Sequence, residues 1–278
     1  MTRIHTRYSE RLQRVVDYVA EHLDQSLDLD TIAGVAHLSP YHFHRIYRGV
    51  LGETLNDTVR RLRLQRSAID LLDREQNIDR VARRAGYSSQ AAFTRAFRSE
   101  YGDPPARYRD ARRVAELERA DPDLYRVEHV VLPRLRIAAI HHVGDYQLTA
   151  QAFERLMAVA ATTGALTAAT RTFGIYRDDP VSTPQAELRS TACISVPDDW
   201  APPASLAESC IEGGRYARIV HTGPYPELKV VYEWLYQTWL PSSDEEPRDL
   251  PCVEEYLNAP RQVAAKDLQT AVLLPIEE

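Results

Sequence analysis

Residues 39–47 read Ser-Pro-Tyr-His-Phe-His-Arg-Ile-Tyr, and residues 88–97 read Ser-Ser-Gln-Ala-Ala-Phe-Thr-Arg-Ala-Phe. Both runs carry a Ser-x-x-x-Phe-x-Arg-x-aromatic pattern, and each follows a short apolar segment. Leu29, Ile32, Ala33 and Ala36 match Ile78, Val81, Ala82 and Ala85 at an offset of 49, and Phe43, Arg45, Tyr47 and Gly52 match Phe93, Arg95, Phe97 and Gly102 at 50. The one-residue difference falls in the turn between the segments. The N-terminal half is therefore a duplicated module, and its fold follows from one copy.

Each copy reads as a helix-turn-helix. Ile32, Ala33 and Ala36 keep the i, i+1, i+4 spacing of a buried helical face, a turn follows at His37 and Leu38, and Ser39 caps the next helix with Pro40 at its first position. In the second copy Gly86 supplies the turn, and Ser88 or Ser89 caps. Small alanines let the paired helices cross closely, while Phe43 with Tyr47 and Phe93 with Phe97 form i, i+4 pairs that fill the core. The residues left outward are polar and basic: Tyr41, His42, His44, Arg45 and Arg48 on the first helix, and Gln90, Ala91, Thr94, Arg95 and Arg98 on the second.

Arg, Gln and His can meet both phosphates and base edges, so these faces point to double-stranded DNA. A single copy would be read equally well as a solvated charged face. The second copy shifts the balance toward nucleic acid, because residues 54–72 read as one helix joining the two. Leu55, Val59, Leu62, Ile69 and Leu72 make its expected apolar side, and nineteen residues at 1.5 Å each span ~28 Å. A strut of that length suits two reading helices about one DNA turn apart.

Charge divides the chain the same way. Residues 1–120 hold 21 Arg and no Lys against 17 Asp plus Glu, a net of +4, whereas residues 121–278 hold 13 basic against 23 acidic residues, a net of −10. The mildly basic part suits a phosphate backbone, and the acidic part must face something else. A length of 278 residues with 44% hydrophobic content accommodates two ordinary cores. The expected domains are 1–120 and 121–278, joined by a short linker. Asp103-Pro104-Pro105 opens a last short helix that Asp121-Pro122-Asp123 breaks.

The C-terminal part also repeats. Arg136, Ala138, His142, Gly144, Tyr146, Phe153 and Leu156 match Arg215, Ala217, His221, Gly223, Tyr225, Tyr232 and Leu235 at an offset of 79. Tyr176 and Pro180 match Tyr256 and Pro260 at 80. Each copy predicts a strand (136–142; 215–221) ending in a Gly-x-Tyr turn, then a helix with an apolar stripe (Phe153, Leu156, Met157; Val231, Trp234, Leu235). Two more strands follow, 172–176 with 190–196 and 253–257 with 270–274. The unit is β-α-β-β twice over. The fold class is thus multidomain, with an all-α N-terminal domain holding two helix-turn-helix motifs and an α+β C-terminal domain of duplicated units.

Two such units predict an antiparallel sheet with both helices on one face and a groove between them, suited to a small apolar ligand. Tyr146, Tyr225, Trp234, Trp239 and Tyr256 are amphipathic aromatics that could line it, and Glu254 lies two places before Tyr256, on the same strand face. A carboxylate among aromatic rings favours a lipophilic cation. For Trp234 and Trp239, helical residues beside Leu235 and Leu240, a place in the core is the better reading.

Other chemistries lack their residues. Cys193, Cys210 and Cys252 are far apart with no Cys-x-x-Cys pair, so they predict buried, reduced thiols rather than a zinc knuckle or disulfide framework. His141, His142 and His221 are not spaced as a metal set and read as satisfied structural histidines. No Gly-x-Ser-x-Gly elbow or phosphate-binding glycine loop is present, and Gly213-Gly214 reads as a turn. The N-terminal stretch Met-Thr-Arg-Ile-His-Thr-Arg has no apolar run, and no stretch reaches ~20 apolar residues. The expectation is a cytoplasmic protein with no cofactor, metal or membrane partner.

The stretch around residues 8–113 resembles the DNA-binding domain of the AraC/XylS family of transcription regulators, most specifically through Gly86-Tyr87, Phe93, Arg95, Phe97, Gly102, Pro105 and Tyr108. That resemblance implies base-facing roles for Tyr41, His44 and Arg45 in the first module and for Gln90, Ala91 and Arg95 in the second. Residues from about Tyr125 to Glu278 resemble the GyrI-like effector-binding domain, through His221-Thr222-Gly223-Pro224-Tyr225 and Glu254-Glu255-Tyr256-Leu257-Asn258-Ala259-Pro260. That resemblance implies Glu254 as the ligand-meeting glutamate, although Val253 stands where an aromatic is common and Glu255 adds a second carboxylate. Together they imply a non-enzymatic transcription regulator, an activator, with promoter DNA, RNA polymerase and a small-molecule effector as partners. The alternative is a small-molecule hydrolase in which Glu254, with Glu255, serves as general base.

Overall fold

The computed structural model describes residues 3–73, 75–110, 121 and 123–278, with side chains from Tyr8 onward. In chain order its helices are α1 (Arg3–Glu21), α2 (Leu29–Val35), α3 (Pro40–Leu51), α4 (Leu55–Asp70), α5 (Ile78–Arg84), α6 (Gln90–Tyr101), α7 (Thr149–Thr163) and α8 (Leu228–Trp234). The strands are β1 (Val127–Leu132), β2 (Leu135–Val143), β3 (Thr172–Tyr176), β4 (Arg189–Ser195), β5 (Ala207–Ile211), β6 (Gly214–Thr222), β7 (Val253–Tyr256) and β8 (Gln269–Pro275). Residues 105–110 are helical, as Pro104-Pro105 led one to expect. The further course of that helix and most of the linker, residues 111–120 and Pro122, lie outside the described residues, as do Met1 and Thr2.

The architecture is the expected one, an all-α N-terminal region with two helix-turn-helix motifs followed by an α+β region of duplicated units. Packing draws a further line. One compact unit combines residues 1–62 with 134–212, and another combines 63–133 with 213–278. Each unit holds one helical module and one four-stranded antiparallel half-sheet.

Local chemistry accounts for the helices. The Asp28, Ser39, Asn77 and Ser89 side chains accept from the backbone N–H groups of Thr31, His42, Asp79 and Ala92, capping α2, α3, α5 and α6. Between Ser88 and Ser89, the cap is Ser89. At the start of α4, Asp57 Oδ2 accepts from the Thr54 amide at 3.3 Å and Thr54 Oγ1 accepts from the Asp57 amide at 3.2 Å, a reciprocal cap.

The apolar side of α4 departs from expectation. Leu55 and Val59, with Leu62 half-buried, serve the core of the first unit, but Leu64, Ala68 and Leu71 serve that of the second, and Ile69 is only half-buried. A single stripe cannot face two cores, so the buried face steps round the helix after Leu62.

The turns differ in one informative residue. Gly86 has φ +84°, and His37, its counterpart at offset 49, has φ +50°, the only non-glycine in the left-handed region among the described residues. A side chain pays a steric penalty there of about 1 kcal/mol or more. Gly86→Ala should destabilise the protein by about 1–2 kcal/mol, whereas His37→Gly should leave it unchanged or slightly more stable. Urea midpoints of both variants check this, and equal losses would contradict the strain at His37.

In the α+β region each repeat carries one strand more than expected. The observed unit is β-β-α-β-β, because β1 precedes β2 as β5 precedes β6. These leading strands are exchanged: β1 pairs with β6 of the second repeat, and β5 with β2 of the first. The half-sheets run β5-β2-β4-β3 and β1-β6-β8-β7. Their registers correspond, with Ala139 opposite Cys193 and Arg218 opposite Leu273 at the same repeat offsets. Gly213 stands between β5 and β6, and Gly214 opens β6 rather than completing a turn.

In the first unit α1 presents Leu12, Val15, Val16 and Val19 to the core of the helical module, and Ala158 of α7 joins the same cluster. Asp17 forms an ion pair with Arg155 of α7. Beneath it, Arg61 bridges Glu53 at 2.6 Å and Glu154 of α7 at 2.9 Å, with all three side chains about nine-tenths buried. In the second unit Ala265 and Leu268, from the connection between β7 and β8, join the core of the helical module, and Glu100 Oε1 accepts from the Ala265 amide at 3.0 Å.

Candidate nucleic-acid and effector sites

Core pairs orient the outward faces of α3 and α6. Phe43 and Tyr47 are buried with ring centroids 5.3 Å apart, and Phe93 and Phe97 with centroids 5.5 Å apart. The opposite faces then carry Tyr41, His44, Arg45 and Arg48 on α3, and Gln90, Ala91, Arg95 and Arg98 on α6, all exposed, with Thr94 half-buried. Arg45 lies over the Tyr41 ring at 4.4 Å, which holds the guanidinium near the N-terminal end of α3. His44, Arg45, Arg48 and Gly49 line a shallow surface depression. Exposed guanidinium groups on a capped helix can donate to phosphate oxygens and to the acceptor edge of guanine.

The second candidate site is built on the helix-side face of β7. Glu254 is only 4% exposed. Its Oε1 accepts from the Tyr232 hydroxyl of α8 at 3.0 Å, and its Oε2 from the Tyr256 hydroxyl at 2.8 Å. Burial pushes the carboxyl up to about 7, against the lowering effect of the two hydroxyls. Tyr256 in turn meets Tyr225 edge to face, with centroids 5.2 Å apart. Tyr225 packs against both the sheet core and the core of the helical module in the same unit.

The first repeat shows what is particular to this site. Tyr146 and Tyr176, the counterparts of Tyr225 and Tyr256, also meet edge to face at 4.9 Å. Yet Gly174 and Phe153 stand where the second repeat has Glu254 and Tyr232. The Tyr146 hydroxyl donates to the Asp178 carbonyl and accepts from the Asp178 amide, both at 2.8 Å. Only the second repeat holds a buried carboxyl between two phenols.

Trp234, named above among the ligand-facing aromatics, is wholly buried. Its indole donates to the Asp121 carbonyl at 2.7 Å and its ring meets Tyr125 at 5.3 Å, so it is a core residue. Trp239 is half-buried against the same core. Tyr232 was missed, although its place one turn before Tyr236 and its match to Phe153 at offset 79 were visible.

Other expectations need adjustment. His141 Nδ1 and His142 Nε2 are partnered, by Thr191 Oγ1 and the Asp145 carbonyl, each at 3.1 Å. Nε2 of His221, however, is buried without a hydrogen-bond partner. The cysteines are free thiols, but Cys210 is only half-buried, next to Arg134 and Glu212. Among the described residues no group of three or more His, Cys, Asp or Glu side chains could hold a metal ion, and no helix is long and apolar enough to cross a membrane.

Two capped helix-turn-helix modules joined to a duplicated β-β-α-β-β region define a regulator-type architecture with a fused binding domain. Residues 126–277 match the GyrI-like small molecule binding domain, and residues 32–111 match a helix-turn-helix domain. The regulatory protein SoxS of Salmonella typhimurium is 33% identical over 102 residues, 37% of this chain and 95% of that protein. The Right origin-binding protein of Escherichia coli is 38% identical over 88 residues, 32% of this chain and 30% of that protein. A chain of the EcmrR–DNA complex has 16% identity and a TM-score of 0.49, covering 90% of this chain and 99% of that one. This chain belongs to the AraC-type helix-turn-helix regulators that carry a GyrI-like domain.

Proposed function

We propose that the protein is a one-component transcription activator whose residues 1–120 bind promoter DNA and whose residues 121–278 bind a small lipophilic cation. The observation that carries the DNA reading is the pair of exposed basic faces on α3 and α6, each set opposite a buried aromatic pair. The relatives support it, since SoxS is a regulatory protein and PqrA of Proteus vulgaris a probable transcription factor. Tyr41, His44, Arg45, Gln90, Ala91 and Arg95 read bases in this account. Arg48, Thr94 and Arg98 contact the backbone, and RNA polymerase is the partner the bound protein recruits in the cytoplasm.

The effector reading rests on Glu254 held between Tyr232 and Tyr256, with Tyr225 against Tyr256. Rings and a carboxylate together select a positive, apolar ligand. The matched domain is described as small molecule binding and the matched relatives are regulators, which supports the binding role over hydrolysis. Trp234, whose indole N–H is taken by a backbone carbonyl, supports the core behind this site rather than meeting the ligand, and Tyr146 belongs to the first repeat, where its hydroxyl is held by the Asp178 backbone.

The DNA reading is tested with Arg95→Ala at a promoter the wild type occupies. The variant should bind roughly tenfold more weakly, and the slope of log affinity against log salt should fall by about 1. Unchanged affinity and slope would remove α6 from the interface.

A further inference from the structure

One row of the second half-sheet carries more polar chemistry than its surroundings satisfy. Tyr256, Thr270 and His221 are directly paired across β7, β8 and β6, and the next row is Glu254, Val272 and Ile219. Directly paired residues share a face, as do residues two apart on one strand, so Thr270 and His221 stand on the face of Glu254. Thr270 is fully buried, and its Oγ1 has no hydrogen-bond partner. His221 is 8% exposed and its Nε2 has none either, the Glu227 Oε2 lying 3.6 Å away. Leaving a buried hydroxyl unpaired opposes folding and calls for an explanation.

The first repeat provides an internal control. Its equivalent row is Tyr176, Ser190 and His142. There Ser190 Oγ pairs with Thr149 Oγ1 at 2.9 Å, and His142 Nε2 faces the Asp145 carbonyl at 3.1 Å. In the second repeat Leu228 replaces Thr149 at the first position of the helix, which removes the partner that Thr270 would otherwise have. Beside His221, Gly223 has φ +151°, and a Cβ there would lie 2.6 Å from Glu227 Oε2 and 2.7 Å from Nε2, so a side chain at that position would crowd both groups. The same repeat that gained Glu254 and Tyr232 thus has two polar atoms without partners in the adjoining row.

We propose that Thr270 and His221 form a hydrogen-bonding subsite of the effector site, taking a polar group on a lipophilic cation whose charge lies against Glu254. The proposal rests on the reading of Glu254 as the cation's anchor. Thr270, one strand over and one row along from Glu254, lies on the order of 8 Å from it, and His221, a further strand over, on the order of 12 Å. A carboxamide suits the subsite: the carbonyl accepts from the Thr270 hydroxyl, and the N–H donates to Nε2 of His221.

The test compares two cations on the full chain, tetraphenylphosphonium and its derivative with one 4-carbamoylphenyl arm. Wild type should bind the carbamoyl cation tighter, by on the order of tenfold. In Thr270→Val and in His221→Leu the ratio of the two affinities should fall toward one, while Glu254→Gln should weaken both cations and keep the ratio. A ratio near one in wild type, or a ratio that survives both subsite variants, overturns the subsite and leaves the Glu254 reading standing. Tetraphenylphosphonium that fails to bind, or binds wild type and Glu254→Gln equally, sinks the anchor and the subsite with it. Without ligand, Thr270→Val should raise the thermal midpoint by about 2–4 °C, and Ser190→Ala should lower it. A drop in both would give the Thr270 hydroxyl a structural bond and overturn the proposal.

Discussion

Arg61→Met should lower stability by about 3–5 kcal/mol at pH 7, the largest loss expected from a single charge removal in this protein. Burial opposes the charge on Arg61, yet the attraction of Glu154 and Glu53 outweighs it and holds the guanidinium above the ordinary arginine value. Without the arginine, two buried carboxylates would face each other in apolar surroundings. Replacing Glu53 and Glu154 with Gln as well as Arg61 with Met should recover much of the loss, because no buried charge is then unpaired. Urea denaturation of the single and triple variants at pH 7 measures this. A deficit under ~1 kcal/mol, or a triple variant no more stable than the single one, would show that the triad is not buried as described.

The triad also matters for the proposed DNA interface. Glu53 accepts from Thr58 Oγ1, which itself accepts from the Tyr47 hydroxyl of α3, each at 2.9 Å. A chain of polar contacts therefore runs from α7 through Arg61 and Glu53 to the core of α3. In Arg61→Met, amide exchange in α3 should accelerate along with that in α4.

Glu254→Gln is expected to act in opposite directions on stability and on cation binding. The folded carboxyl titrates near 7 against an ordinary 4.5. A raised carboxyl contributes full stability below about pH 4.5 and loses it as pH rises through 7, when the buried group must ionise. The ceiling on that loss is about 3 kcal/mol. Free of ligand, Glu254→Gln should therefore be more stable than wild type at pH 8, by up to about 3 kcal/mol, and equal to it near pH 4. For a lipophilic cation the order reverses. Wild-type affinity should rise about tenfold per pH unit below 7, as the cation displaces the proton, and level off above it. The variant should show a flat profile. Parallel pH profiles for the two proteins would remove charge recognition from this site.

Much of the helical region was legible in the chain. The caps at Ser39 and Ser89 and the pairs Phe43–Tyr47 and Phe93–Phe97 involve residues three or four apart, where sequence spacing is spatial spacing. The strands of the repeats were legible for a similar reason, since Arg136 to His142 and Arg215 to His221 alternate and recur. The leading strands β1 and β5 were not, because Glu128, His129 and Val130 meet the unlike Ala207, Glu208 and Ser209 at the repeat offset and each strand pairs with the other repeat. The face of α4 was misread because a stripe drawn for one core cannot foresee two.

Glu254 and Tyr256 could be placed together from a two-residue spacing, but not Tyr232, which reaches Glu254 from another element. The pairing of Arg61 with Glu154 joins residues 93 positions apart, and its burial exists only once α7 packs beside the first helical module. The partnerless Thr270 and His221 likewise have no signature of their own in the chain. What the sequence determined by itself was each element's type, its caps and the duplicated plan, because these follow from contacts within a turn or two or from direct repetition. What the tertiary structure alone decided was which polar groups lost water and whether they found partners, because desolvation depends on distant segments closing over them.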